Sequence, residues 1–104
     1  MQNLSSKAPA TFEYELSKKL TALELGAIST ELQGVVQSGC QCLVLDGCSV
    51  EEVDIAGINL LVKVYKTIKS FEGSMVIKLK KGGKLSAMLH ITKYDKWFHL
   101  NYTE

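Results

Sequence analysis

Apolar and polar positions alternate over Thr11-Phe12-Glu13-Tyr14-Glu15-Leu16, the two-residue period of a half-buried strand. The period changes after Ser17-Lys18-Lys19-Leu20. Leu25, Ile28, Leu32 and Val35/Val36 recur at steps of three and four, which predicts a helix with a single apolar stripe. Thr21 followed by Glu24 has the spacing of a capping box, in which hydroxyl and carboxylate each satisfy an N–H of the first turn. The pattern therefore starts the helix at Thr21 and ends it at Ser38-Gly39, where glycine suits the left-handed cap position.

Cys42-Leu43-Val44-Leu45 is apolar without alternation and too short for a helix. Such a run predicts a strand covered on both faces, as in the centre of an α/β sheet. Asp46-Gly47 breaks it, and Cys48 to Val53 reads as a loop or short turn carrying Ser49, Glu51 and Glu52. Asp54 is a natural N-cap for a second helix over about Ile55 to Phe71. That helix carries Leu61, Val64, Ile68 and Phe71 on one side and Asn59, Lys63, Lys66 and Ser70 on another, and Gly73 closes it. Met75 to Leu79 is a second apolar strand, and Lys80-Lys81-Gly82-Gly83-Lys84 is a turn. A short helix with Leu85, Met88 and Leu89 on its buried face follows, then a turn over Tyr94 to Trp97 and a last strand at Phe98-His99-Leu100. Strands and helices alternating with short links predict an α/β fold with a largely parallel central sheet of about four to five strands and right-handed crossovers.

A chain of 104 residues has room for one core. The division expected is a polar tail or weak edge strand over residues 1–10 and one domain over residues 11–104. No stretch approaches the ~18 apolar residues of a membrane span. Met1 to Ala10 lacks the apolar region of a signal peptide, so the expected address is cytoplasmic. Cys40, Cys42 and Cys48 are odd in number and close together, a poor disulfide framework that fits a reducing compartment. A zinc site would need two more ligands, and His90 and His99 are distant in sequence. The three cysteines read as buried structural residues, the histidines as surface or edge residues, and no metal is expected.

Charge is uneven along the chain. Residues 1–54 hold three lysines against eight acidic residues, a balance of −5; residues 55–104 hold nine lysines against three, a balance of +6. A basic half can signal nucleic acid. Every cation here is lysine, however, so the bidentate arginine forks that read guanine or clamp phosphate are missing. Solvated faces and a partner-docking surface account for the charge better, and no nucleic-acid binding is expected.

Catalytic templates fail in turn. Gly83-Lys84-Leu85 superficially resembles a phosphate loop, but that motif needs glycine where Lys78 stands and a hydroxyl where Leu85 stands. The first strand is not followed by a dinucleotide glycine pattern. No local signature pairs a cysteine nucleophile with a histidine. Glu51, Glu52 and Asp54 cluster ahead of a helix, where carboxylates commonly favour the positive end of its dipole. The expectation is a protein that is not an enzyme and uses no cofactor.

What remains is the junction Leu43-Val44-Leu45-Asp46, then Val53-Asp54-Ile55-Ala56-Gly57-Ile58-Asn59-Leu60-Leu61. It resembles the signature of the STAS domain family, related to anti-sigma factor antagonists: a hydrophobic strand ending near aspartate, a short loop, then Asp-Ser-Ser-Gly or Asp-Thr-Gly-Gly before a leucine-rich helix. Gly73, the apolar strand after it, the Met88-Leu89 helix and the aromatic Trp97-Phe98 terminus fit the same order, so the resemblance spans about residues 11–100. Its most specific element is Asp54-x-x-Gly57.

The resemblance implies a mixed sheet with helices mainly on one side, and a non-catalytic protein–protein interaction module of bacterial signal transduction and transcription regulation. The partner-binding residues it implies are Asp54, Ile55, Ala56, Gly57 and Ile58, with Ser49 nearby. Partners of the family include kinase-like anti-sigma factors. Single-domain members also serve as accessory subunits that bind the ATPase of lipid-transporting ABC systems, and others sense small ligands. In sporulation and stress-response members the hydroxyl residue after the aspartate is phosphorylated. A phosphate there would sit at a helix N-terminus, which tolerates its charge. Here Ile55 and Ala56 occupy those positions and neither can accept phosphate. Ser49 is the nearest hydroxyl of the loop, but no motif marks it. The expectation is a docking frame without the covalent switch, with Ile55 as an apolar anchor if it is exposed.

Overall fold

The computed structural model describes residues 11–103. The tail or edge strand expected over residues 1–10 lies outside them. In chain order the elements are β1 (Thr11–Glu15), β2 (Lys19–Leu20), α1 (Leu25–Gln37), β3 (Cys42–Asp46), β4 (Glu52–Val53), α2 (Ile55–Ser70), β5 (Ser74–Lys80), α3 (Lys84–Ile91), a 3₁₀ turn (Tyr94–Lys96) and β6 (His99–Thr103). β1, β3, β5 and β6 form one sheet in the order β1-β3-β5-β6, every adjacent pair parallel. β2 and β4 form a second, two-stranded parallel sheet, pairing Lys19 with Glu52 and Leu20 with Val53. The predicted α/β class, the parallel sheet and its strand number hold.

The sheet is covered on one face. Leu43 and Leu45 of β3 and Met75, Ile77 and Leu79 of β5 are buried, while Cys42, Val44, Val76 and Lys78 between them are only half-buried. The apolar run at Cys42–Leu45 is thus not a strand packed on both sides. Among the described residues the helices cover one row only, and the other row mixes Cys42, Val44 and Val76 with Lys78. On that second face Lys78 Nζ donates to Glu13 Oε2 at 2.8 Å across the sheet. On the covered face the Tyr14 hydroxyl donates to Glu31 of α1, which ties edge strand to helix.

α1 presents Ile28, Leu32 and Val36 to the core, and α2 presents Ile58, Leu61, Val64 and Ile68. α3 contributes Leu85 and Leu89, and Phe98 closes the cluster at the last strand. Phe71 is the exception to the predicted stripe. It is exposed, because α2 ends at Ser70 and the chain turns there. Gly73 N donates to Ile68 O at 2.9 Å and Glu72 N to Lys69 O at 3.0 Å, the paired bonds of a Schellman cap. Glu72, not the glycine, takes the left-handed position with φ 62°. Gly73 is needed for space: a Cβ there would lie 2.8 Å from Ile68 Cγ1 and 3.0 Å from Gln41 O.

α1 starts three residues later than its capping-box spacing predicts. Glu24 is its N-cap and makes no side-chain cap bond; residues 21–24 form a turn closed by Glu24 N donating to Thr21 O at 2.8 Å. The reason is tertiary. The N–H of Ala22 is taken by the carboxylate of Asp54, 32 residues away.

Candidate functional site

Asp54 links three elements. Its backbone is extended at φ −121°, ψ −177°, and its Oδ1 accepts from Gly57 N at 3.0 Å, the N-cap bond of α2. Its Oδ2 accepts from Ala22 N at 3.1 Å in the turn ahead of α1. Its own N–H donates to Leu20 O at 3.3 Å. These amide donors, Ala22 first and Gly57 second, favour the charged carboxylate and hold Asp54 below its usual range of ionisation. The aspartate predicted as a cap is therefore also the clasp between β2, the α1 turn and α2.

Gly57 makes that clasp possible. A Cβ at Gly57 would stand 2.2 Å from Leu20 O and 3.0 Å from Leu20 Cγ. No side chain fits, so the backbone of β2 rests directly on the first turn of α2. The small β2–β4 sheet accounts for this approach and was not visible in the pattern: Cys48 to Val53, predicted as loop, contains β4. Two residues per strand leave no periodicity to detect.

The six residues assigned to partner contact do not share one environment. Ile55 is 57% exposed, on the outside of the first turn of α2. Asp54 and Ala56 are half-buried beside it. Gly57 and Ile58 are buried, Ile58 completely, so they support the turn and cannot touch a partner. Ser49 lies across the loop, exposed, with its hydroxyl donating to Glu15 Oε2 at 3.3 Å. It acts as a loop hydrogen-bonding residue. Of the six, only Asp54, Ile55, Ala56 and Ser49 offer surface; Gly57 and Ile58 are packed against the core.

Beside this turn runs a groove of about 530 Å³, walled by Thr21, Glu51, Glu52, Val53 and Asp54 on one side and by Lys84, Ala87, Met88 and Ile91 of α3 on the other. Ile91 is 72% exposed, and Leu23, two residues beyond Thr21, is 95% exposed. Met88, predicted on the buried face of α3, is only partly buried; Leu85 and Leu89 fill that face instead. Leu23, Ile91 and the groove escaped sequence reasoning. Ile91 is two residues past Leu89, about 200° round the helix, so its outward position was calculable from spacing. Leu23 was misplaced along with the start of α1.

A second cleft, about 360 Å³, opens beyond the carboxyl ends of β3 and β5. Lys18, Ser49, Lys80 and Lys84 line it together with Gly82 and Gly83, the turn dismissed above as a phosphate loop. Cys48 is there as well, its Sγ 3.3 Å from Thr103 Oγ1.

All three cysteines carry free thiols; Cys40 is buried, Cys42 and Cys48 half-buried. Burial pushes the Cys40 thiol above its ordinary value. His90 is exposed and its Nδ1 lies 3.1 Å from Asp95 Oδ2, while His99 is exposed on β6. Among the described residues, no group of three or more histidine, cysteine or acidic side chains could hold a metal ion. No described helix is long and apolar enough to cross a membrane. The chain matches no protein-family model, and no curated protein or solved structure matches it significantly.

Proposed function

We propose that this chain is a non-catalytic STAS-like docking module that captures a protein partner on the surface around the first turn of α2. The observation that carries the reading is the grouping of exposed apolar side chains there. Ile55, Leu23 and Ile91 are 57%, 95% and 72% exposed. Ile91 lines the groove, and Ile55 and Leu23 follow its lining residues Asp54 and Thr21 within two positions in the chain. Scattered apolar residues on a surface need no explanation, but a set rimmed by polar residues around a concavity marks an interaction site.

The chemistry of the turn supports binding over modification. Ile55 and Ala56 stand where the STAS resemblance would place a phosphoacceptor, and neither bears a hydroxyl. Asp54 is committed to two backbone amides, which stiffens the turn before any partner arrives. A preordered turn loses less entropy on association. Binding is then constitutive, or governed by the state of the partner. A cytoplasmic location, a kinase-like anti-sigma factor or an ABC ATPase as partner, and the absence of nucleic-acid binding belong to the same proposal.

Ile55→Asp tests it. The side chain is exposed, so the variant should keep its thermal midpoint while losing about 2 kcal/mol or more of partner affinity. Capture by tagged protein from the native cell, read by mass spectrometry, identifies the partner, and unchanged capture by Ile55→Asp sinks the anchor role.

The second cleft favours one other reading, a small-ligand sensor. Clefts beyond the carboxyl ends of parallel strands are common ligand sites. A thermal-shift screen would separate the two, because a sensor gains stability from a small molecule alone.

A further inference from the structure

The docking reading leaves open what kind of partner surface enters the groove, and its two walls differ. One is mainly apolar: Ala87, Met88 and Ile91 of α3 line it, with Lys84 at the helix's first residue. The other is acidic, with Glu51 and Glu52 on the approach to Asp54. Among the described residues neither Glu51 nor Glu52 has a lysine nitrogen within 4 Å of its carboxylate. Lys84 does line the same groove, and Lys19 is the strand partner of Glu52. The groove's lining thus carries three acidic side chains, Glu51, Glu52 and Asp54, against one lysine. Both glutamates are exposed.

Resting on the docking reading, we propose that the groove receives a basic amphipathic helix from a partner protein. Its apolar stripe would lie against Ala87, Met88 and Ile91, and its lysine or arginine flank would face Glu51 and Glu52. The apolar wall is itself a helix of eight residues, about 12 Å long. A second helix laid along it places two or three side chains, spaced three and four apart, against that wall. The carboxylates do a different job. Exposed charge pairs add little affinity, but they speed the encounter and penalise an acidic surface through like-charge contact. Leu23 and Ile55, adjoining the acidic wall in the chain, extend the apolar contact beyond it.

The test uses the whole protein, labelled with ¹⁵N, and two synthetic helical peptides of about 18 residues. Both carry leucine at steps of three and four; one has lysine at the remaining positions and the other glutamate. The lysine peptide should shift the amides of Val53, Met88 and Ile91 and bind at least about tenfold more tightly than the glutamate peptide, with an advantage that shrinks in high salt. The double variant Glu51→Lys/Glu52→Lys should remove that preference while its thermal midpoint stays within a few degrees of the parent, since both sites are exposed.

Equal binding of the two peptides in the groove would overturn the charge assignment and leave the docking reading standing. Glutamate-peptide shifts confined to the lysines of α2 would overturn it in favour of an acidic partner. Groove shifts produced by raising protein concentration alone would show that a second copy is the occupant, which also overturns it. If neither peptide perturbs the groove at about 1 mM, the helix proposal falls, and the docking reading falls with it only if Ile55→Asp also leaves partner capture unchanged.

Discussion

Replacing Gly57 by alanine adds one methyl group to the first turn of α2, and two opposed effects follow. In a helix interior alanine is favoured over glycine by about 1 kcal/mol, partly because the unfolded chain has less freedom to lose. Gly57 is buried, however, and the new carbon would arrive 2.2 Å from Leu20 O, 3.2 Å from Leu20 C and 3.0 Å from Leu20 Cγ. Ordinary carbon–oxygen contact is about 3.3 Å, so β2 or the helix must move by roughly 1 Å. That motion strains the bond from Asp54 N to Leu20 O at 3.3 Å and the pairing of Leu20 with Val53. Overpacking of this kind costs about 1–3 kcal/mol, and the loss of a backbone hydrogen bond about 1 more. The clash outweighs the propensity gain, and the net expectation is a loss of about 1–3 kcal/mol. Urea unfolding followed by far-ultraviolet circular dichroism should show a lower midpoint with an unchanged slope. Gly34→Ala is the internal control. Gly34 lies within α1 with nothing within 4 Å of its prospective Cβ, so the same substitution should stabilise by about 1 kcal/mol. If Gly57→Ala proves as stable as Gly34→Ala, the close approach of β2 to α2 is wrong.

Other outcomes follow from the same contacts. Burial first, then the hydrogen bond and charge of Glu31, push the Tyr14 hydroxyl up from 10.0 to about 12. Its contribution to stability is complete below pH 10.0 and should fade as pH rises towards about 12, because the unfolded chain gives up that proton first. Chemical denaturation across that range should show the alkaline loss in the parent and a smaller one in Tyr14→Phe. Asp54 is held below its ordinary 3.8, so its contribution is present above that value and fades as pH falls through the lower folded value. Asp54→Ala should lower the thermal midpoint at neutral pH and flatten the acid limb of the stability profile. Glu72 occupies a left-handed position at φ 62°, and Glu72→Gly should stabilise by about 0.5 kcal/mol, read as a higher urea midpoint.

Local periodicity carried most of the architecture. The stripe Ile28-Leu32-Val36 is buried as its spacing requires, and so is the core of α2 at Leu61, Val64 and Ile68. Asp54 caps α2 as a residue of its type ahead of an apolar helix should. These features depend on neighbours within one or two turns, which is the range over which residue order is itself a spatial statement. Where partners are distant in the chain, the pattern failed. The capping box at Thr21 and Glu24 has the right letters, but Asp54 takes the Ala22 N–H from 32 residues away and α1 begins at Leu25. The run Cys42–Leu45 could not reveal that helices would cover one face only, because cover comes from other segments. The same holds for the candidate site. Residue order showed Asp54-Ile55-Ala56-Gly57 and the missing hydroxyl. Packing decided that Ile55 faces solvent while Ile58 does not, that Gly57 is pressed against Leu20, and that Ile91 shares a groove with Glu51 and Glu52. Exposure and concavity belong to surfaces assembled from several elements, and no single stretch of chain contains them.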